Sequence, residues 1–256
     1  MLERYSTAAS TYAPGIDHLF ILIAVLVGFW LIVAEVVLFW FIFKYRAREG
    51  RPTRHITGDE KELHRWITIP HVLVILCDIV IIIPAIMVWY NIKQAMPPAD
   101  QTVRIYAQQW AWSFQSPGPD GVFDTADDIR TVGELHVTLN TTYHYELLSR
   151  DVVHSFAIPA FRLKQDALPG RTILGWFRPN RLGAYDIQCT QICGLGHALM
   201  AGRIIVETQQ AHAAWLLHAT NSSLAEMRRA QAVADPDTTM SSRLQPGSAT
   251  LAGVPR

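Results

Sequence analysis

The chain has 256 residues, half of them hydrophobic, with 22 basic and 22 acidic side chains and a formal net charge of zero. That length allows one or two domains, and the charge balance argues against a nucleic-acid partner. Only 17% of the residues are charged, which leans towards a membrane protein, and three cysteines are too few for a disulfide scaffold.

Two apolar stretches come first, from about His18 to Phe43 and from about Trp66 to Tyr90. Each exceeds the roughly 20 residues that a spanning helix needs. The first follows a polar stretch with no small-residue cleavage pattern, so a removed signal peptide is not expected, nor is a lipid anchor on an early cysteine. The connecting loop carries Lys44, Arg46, Arg48, Arg51, Arg54, Lys61 and Arg65, whereas the opposite flanks hold only Arg4, Lys93 and Arg104. The excess of positive charge places the loop in the cytoplasm. Both termini, and everything from about residue 95 onward, are then expected outside. A bacterial plasma membrane with a periplasmic outer domain is the preferred location, ahead of a mitochondrial inner membrane. Trp66, Trp89 and Tyr90 sit where interfacial aromatics belong. Glu35, His71 and Asp78 are ionisable groups within the spans and hence functional candidates, through a partner subunit or proton traffic. Cys77, also within a span, is expected to be inert.

Met96-Pro97-Pro98 ends the second span, since proline cannot continue a helix. The hydrophobic period then changes. Leu135, Val137 and Leu139 alternate with polar residues, as in a half-buried strand. Val103–Phe114, Tyr143–Leu148, Thr172–Phe177, Ala184–Gln188 and Arg203–Glu207 also read as strands, and His154 lies at the end of a strand-like run. Short strands between turn signals predict a small antiparallel sandwich or barrel. Gln209–Ala230 has helical composition, and from about Val233 a disordered tail is expected. The predicted division is an N-terminal segment and membrane hairpin over 1–95, a β domain over 96–215, and a helix end and tail over 216–256.

The chemistry concentrates between Cys189 and Met200, where twelve residues hold two thiols, an imidazole and a thioether. Such soft donors suit copper and one-electron transfer. Two cysteines four apart can bridge two copper ions closely enough to share one electron, which reduces reorganisation at each metal. His197 can supply one terminal imidazole, and His154 is the best candidate for the second. Met200 would be a weak axial donor to one copper and the Gln191 backbone carbonyl to the other. Taken singly, the cysteines could form a loop disulfide, His154 could be structural and Met200 could be packing. The joint pattern favours copper.

With Trp110-Ala111-Trp112-Ser113-Phe114, Asp151-Val152-Val153-His154-Ser155-Phe156, Ile158-Pro159, Lys164-Gln165-Asp166-Ala167-Leu168-Pro169-Gly170-Arg171 and the cysteine loop, the chain resembles subunit II of the haem–copper cytochrome c oxidases over about residues 14–215. The resemblance implies a two-helix anchor carrying a cupredoxin-like β-barrel. It implies a dinuclear centre, CuA, which takes electrons from cytochrome c and passes them to haem in subunit I, where oxygen is reduced and protons are pumped. Cys189 and Cys193 would bridge, His154 and His197 would be the terminal imidazoles, and Met200 and the Gln191 carbonyl would complete the set. Most members carry glutamate at the position of Gln191, whose carboxylate reaches a magnesium ion. A neutral amide is a poorer ligand for a hard cation, so that contact is not expected here. Trp110 would be where electrons enter, and Trp112 would be core. Asp151 would help dock the donor. Asp120, Asp124, Asp127 and Asp128, in an insertion-like segment over 117–128, would extend the docking patch, bind calcium, or form a solvated hairpin tip. Glu62 stands near the family's proton-path glutamate. No Cys-x-x-Cys-His motif is present, so no covalent haem is expected. A membrane-tethered copper-delivery protein is the alternative from another class. A quinol oxidase subunit would have lost the copper ligands, and nitrous oxide reductase needs a much longer chain.

Overall fold

The computed structural model describes residues 7–50, 57–118 and 120–234, with side chains up to residue 221. Arg4, Arg51, Arg54 and the expected tail beyond residue 234 fall outside the described residues. Two long helices, α1 (Ala13–Lys44) and α2 (Arg65–Lys93), form the apolar hairpin. Their most apolar windows have mean hydropathies of 2.8 and 2.9, and no part of either window is buried. Helices apolar all round and exposed all round need lipid or partner helices as their surroundings. α1 begins earlier than the hydropathy boundary because Pro14 sits in its first turn, where a missing N–H costs nothing. α2 accommodates Pro70 and Pro84 in its interior. Cys77 is not isolated: its sulfur accepts a hydrogen bond from Trp30 Nε1 at 3.1 Å, tying the two helices together.

Ten strands follow: β1 (Gln101–Gln108), β2 (Ala111–Ser116), β3 (Ile129–Val132), β4 (Glu134–Thr138), β5 (Tyr143–Ser149), β6 (His154–Ile158), β7 (Leu163–Ala167), β8 (Ile173–Phe177), β9 (Gly183–Cys189) and β10 (Ala201–Glu207). They make two five-stranded sheets, ordered β3-β2-β1-β5-β8 and β4-β10-β9-β6-β7. The sandwich is not purely antiparallel. β1 runs parallel to β5 and β4 runs parallel to β10, while the other neighbours are antiparallel. Each parallel pair joins segments separated by other strands, as a crossover requires.

Period-two burial sets the inner faces. Val103, Ile105 and Ala107 of β1 point inward and alternate with exposed or half-buried neighbours. β6 is buried throughout, as a strand covered on both faces must be. Trp112, Phe114, Phe156, Phe161 and Phe177 fill the centre, with Leu135, Leu147, Ile187 and Ile204 around them. The run Val103–Phe114, which reads as one strand, is broken into β1 and β2 by a tight turn at Gln109–Trp110. His154 opens β6 rather than ending a strand. β3 and β7 are only four and five residues long and carry Arg130, Lys164 and Asp166 on their exposed positions, so they lack an apolar signature.

The hairpin is stitched to the sandwich. Ala9 is buried in the β core although it precedes the first span. Ser10 Oγ donates to Phe161 O at 2.8 Å, and Trp176 Nε1 donates to Ile92 O at 2.9 Å. Arg162 meets Asp17 at 2.6 Å. A last helix, α3 (Gln209–Ala234), lies against β4 and β10, where Trp215 stacks on His136 with ring centroids 4.2 Å apart.

Candidate metal centre

Four elements deliver the sulfur and nitrogen donors to one end of the second sheet. β6 begins with His154, β9 ends with Cys189, the β9–β10 loop carries Cys193 and His197, and Met200 immediately precedes β10. The main chain closes the loop on itself: Cys189 N–H donates to Met200 O at 3.3 Å and Thr190 N–H to Ser155 O at 3.0 Å. These bonds hold the loop's two ends together and tie it to β6.

The donor atoms converge. The two cysteine sulfurs lie 3.8 Å apart, not bonded to each other. Cys189 Sγ is 3.9 Å from His154 Nδ1 and 3.3 Å from the Gln191 carbonyl oxygen. Cys193 Sγ is 3.6 Å from His197 Nδ1 and 3.9 Å from Met200 Sδ. A disulfide requires sulfurs about 2.05 Å apart, so the loop is arranged as an open cluster of ligands. His154, Cys189 and Cys193 are all buried and form the one metal-ligating group found among the described residues. Two thiolates, two imidazoles, a thioether and a carbonyl are a donor set that copper accepts and that hard cations do not favour.

The surroundings orient these donors. His154 has no solvent exposure, and its Nε2 donates to Asp151 Oδ1 at 2.8 Å. With Nε2 carrying the proton, Nδ1 presents a lone pair to the sulfurs. Asp151 also accepts from Gln109 N–H at 2.7 Å and Val152 N–H at 2.7 Å. Partial burial opposes its ionisation, but the bonds from His154, Gln109 and Val152 prevail and hold its pKa below the usual carboxylate value. Asp151, expected at a docking surface, is therefore engaged in fixing an imidazole. Burial, followed by the neighbouring Cys189, pushes the Cys193 thiol up to about 11. Trp112 is fully buried and packs edge-on against Phe156 and His154, as expected of a core residue.

Trp110 lies over the cysteine loop. Its Nε1 donates to Cys193 O at 3.2 Å, and Gln109 Nε2 donates to the same oxygen at 2.7 Å. The ring is 41% exposed, so one edge meets solvent while the other meets the Cys193 backbone. Two glycines make this possible. A Cβ on Gly196 would lie 2.4 Å from Trp110 Cδ2, and one on Gly194 would lie 2.9 Å from Gln109 Nε2. Gly194 also has φ +118°, which side chains disfavour. Gln109 and these glycines are missed by ligand-type reasoning; the glycines' place inside the cysteine loop is the only sequence signal for them. Ile192, Leu195 and Leu199 stand almost wholly exposed around this surface.

The acidic segment is more structured than a docking tip requires. Asp128 is only 7% exposed and accepts from Gln115 Nε2 at 2.5 Å and Asp124 N–H at 2.8 Å, so it cannot face a partner. Asp124 pairs with Arg104 at 2.7 Å. Asp127 accepts from Thr125 Oγ1 at 2.6 Å. Asp120 and Asp127 remain at the surface without a cationic partner among the described residues. Glu62 is exposed, in a 3-10 turn (Lys61–Leu63) just before α2. Glu35, His71 and Asp78 are exposed on the hairpin.

A family profile described as "Cytochrome C oxidase subunit II, periplasmic domain" matches residues 101–209. An "Alternative cytochrome c oxidase subunit 2" from Bradyrhizobium diazoefficiens is 31% identical over 219 residues, covering 74% of this chain and 76% of that one. The "Cytochrome c oxidase subunit 2" of Cereibacter sphaeroides is 26% identical over 242 residues, covering 83% and 78%. Among solved structures, the periplasmic domain of subunit II of cytochrome oxidase from Bradyrhizobium japonicum aligns with 50% of this chain and 98% of its own, at 29% identity and a TM-score of 0.45.

Proposed function

The chain belongs to the cytochrome c oxidase subunit II family, and from that premise we propose that its sulfur–imidazole cluster holds a dinuclear copper centre fed by a cytochrome c. Membership makes it the electron-accepting, membrane-anchored subunit of a terminal oxidase that works with subunit I, and it brings copper binding with it. The finer statements are the proposal: two copper ions, the ligand set, the donor and the sidedness. The carrying observation is the convergence of two unbonded sulfurs with two imidazole nitrogens and a thioether at separations of 3.6–3.9 Å.

In this reading Cys189 and Cys193, as thiolates, would hold the copper ions together with His154 and His197, and Met200 and the Gln191 carbonyl would be weaker donors. When bound, the copper pair supplies a one-electron acceptor whose charge change is spread over two metals. The protein's part is positional. Asp151 fixes the His154 ring, and the buried β6 strand and Trp112 exclude water from behind it. Trp110 offers an exposed π-edge one hydrogen bond away from the Cys193 carbonyl, a short route from solvent to that residue's sulfur. The donor would dock over Trp110 and the apolar rim of Ile192, Leu195 and Leu199, with Asp120 and Asp127 supplying attraction at longer range.

The basic loop between the helices supports a cytoplasmic loop and a β domain outside a bacterial plasma membrane, with the units divided near residues 95 and 215. Glu62 would then sit at the cytoplasmic face, positioned for proton uptake. Gln191 exposes its side chain and is a poor magnesium ligand. Copper loading of the purified full chain tests the proposal. Two copper ions per chain with one shared unpaired electron support it; a single labile copper(I) would point to copper delivery instead.

A further inference from the structure

Where the outer ends of the hairpin meet the sandwich lies a cavity of about 170 Å³. Tyr12, Lys93, Tyr145, Arg162, Lys164 and Trp176 line it, with apolar wall from Ile16 and Leu163. Two features of this space call for a ligand. Tyr145 is 2% exposed and Tyr12 is half-buried, and their hydroxyls open onto this space with no protein hydrogen-bond partner among the described residues. The space for the Tyr145 hydroxyl depends on Gly175, where a Cβ would lie 2.2 Å away. Each hydroxyl can donate one hydrogen bond to a group that enters the cavity.

The second feature is charge. Lys93 Nζ donates to the neutral Gln165 Oε1 at 2.5 Å and meets no carboxylate among the described residues. Lys164 is exposed and forms no ion pair among them. Arg162 is already matched by Asp17. Two cationic charges therefore remain uncompensated at the rim. Lys93 occupies the last turn of α2, with Trp89 one turn before it, at the depth where a bilayer's headgroups lie.

We propose that this cavity seats the phosphate headgroup of an anionic phospholipid of the outer leaflet. The phosphate oxygens would accept hydrogen bonds from the two tyrosine hydroxyls and face Lys93 and Lys164. The apolar wall would receive the glycerol and the first methylenes. Basic recesses between membrane helices are suited to such headgroups, and the apolar wall gives a free phosphate ion nothing to contact. The lipid would fill a seam between anchor and electron-accepting domain that side chains leave open.

The test uses the full chain in phosphatidylcholine nanodiscs containing a photoreactive phosphatidylglycerol, with labelled residues mapped by mass spectrometry. Labelling is expected to centre on Tyr12, Tyr145 and Trp176. It should fall about tenfold or more in the Lys93→Gln, Lys164→Gln double variant and return with Lys93→Arg, Lys164→Arg. Copper content should stay unchanged in both variants, which shows the fold intact. Labelling that the glutamine variant leaves undiminished would overturn the proposal. So would equal labelling by a photoreactive phosphatidylcholine, or loss of labelling on adding inorganic phosphate.

Discussion

Asp151 accepts three hydrogen bonds, from the His154 ring and from the Gln109 and Val152 amides. The family resemblance marks it for docking; the structure sets it against the imidazole three residues further on. Replacing it with asparagine keeps the shape but removes the charge that holds the ring's proton on Nε2. Weakening such a support of a metal ligand costs roughly 10–100-fold in affinity. Asp151→Asn should therefore release copper faster on dilution into chelator, with little change in thermal unfolding of the copper-free chain. Gly196 acts at the same scale. A methyl group there collides with the Trp110 ring, so Gly196→Ala should displace the ring and slow electron uptake, as Trp110→Gln should, while copper stays bound. Rapid-mixing kinetics against copper content separates the two quantities; normal uptake in both variants would remove Trp110 from the path. The cluster of candidate donors was legible because donor type and spacing are written in the sequence. Gly194, Gly196 and Gln109 were not, since their role depends on a ring brought in from the β1–β2 turn.

Strands with strict alternation, such as Leu135–Leu139 and Tyr143–Leu148, are legible because half-burial leaves a period of two. The turn at Gln109–Trp110 carries no glycine or proline, so nothing in the local sequence separates β1 from β2. The parallel pairings are tertiary facts, fixed by which strands cross over. Helix α3 shows a further element-level device. His212 approaches Glu207 at 3.5 Å and stacks near Trp215, which itself stacks on His136. Burial lowers the His212 pKa below 6.5, and His136 adds to that, against the pull of Glu207. The undocked helix then binds the proton more readily than the docked one. The contribution of neutral His212 to docking is present above pH 6.5 and is lost as pH falls through that value towards the lower docked one. Amide hydrogen exchange over residues 209–221 should accelerate below pH 6.5, and His212→Ala should flatten that dependence. Exchange that stays constant with pH would remove the device.

The membrane hairpin is the most legible part of the molecule, since a long apolar run announces itself without tertiary information. How it grips the sandwich is not legible: Arg162 and Asp17 are 145 residues apart, and Ser10 meets Phe161 across 151. Those ties give the electron-accepting domain a fixed stance on its anchor. The charge pattern of the acidic segment has a consequence for the whole molecule. Asp128 is buried and Asp124 is matched by Arg104, which leaves exposed Asp120 and half-buried Asp127 without a cationic partner among the described residues. An Asp120→Asn, Asp127→Asn variant should react more slowly with a basic cytochrome c at low salt and converge with the parent at high salt. An identical salt profile would assign docking to the apolar rim alone.

The most direct measurement is electron paramagnetic resonance on the copper-loaded full chain, with copper counted per chain. Two copper ions sharing one unpaired electron, in a signal lost when Cys189 or Cys193 becomes serine, is the result predicted. A single-copper spectrum, or sulfurs that pair with each other and take up no metal, would contradict it.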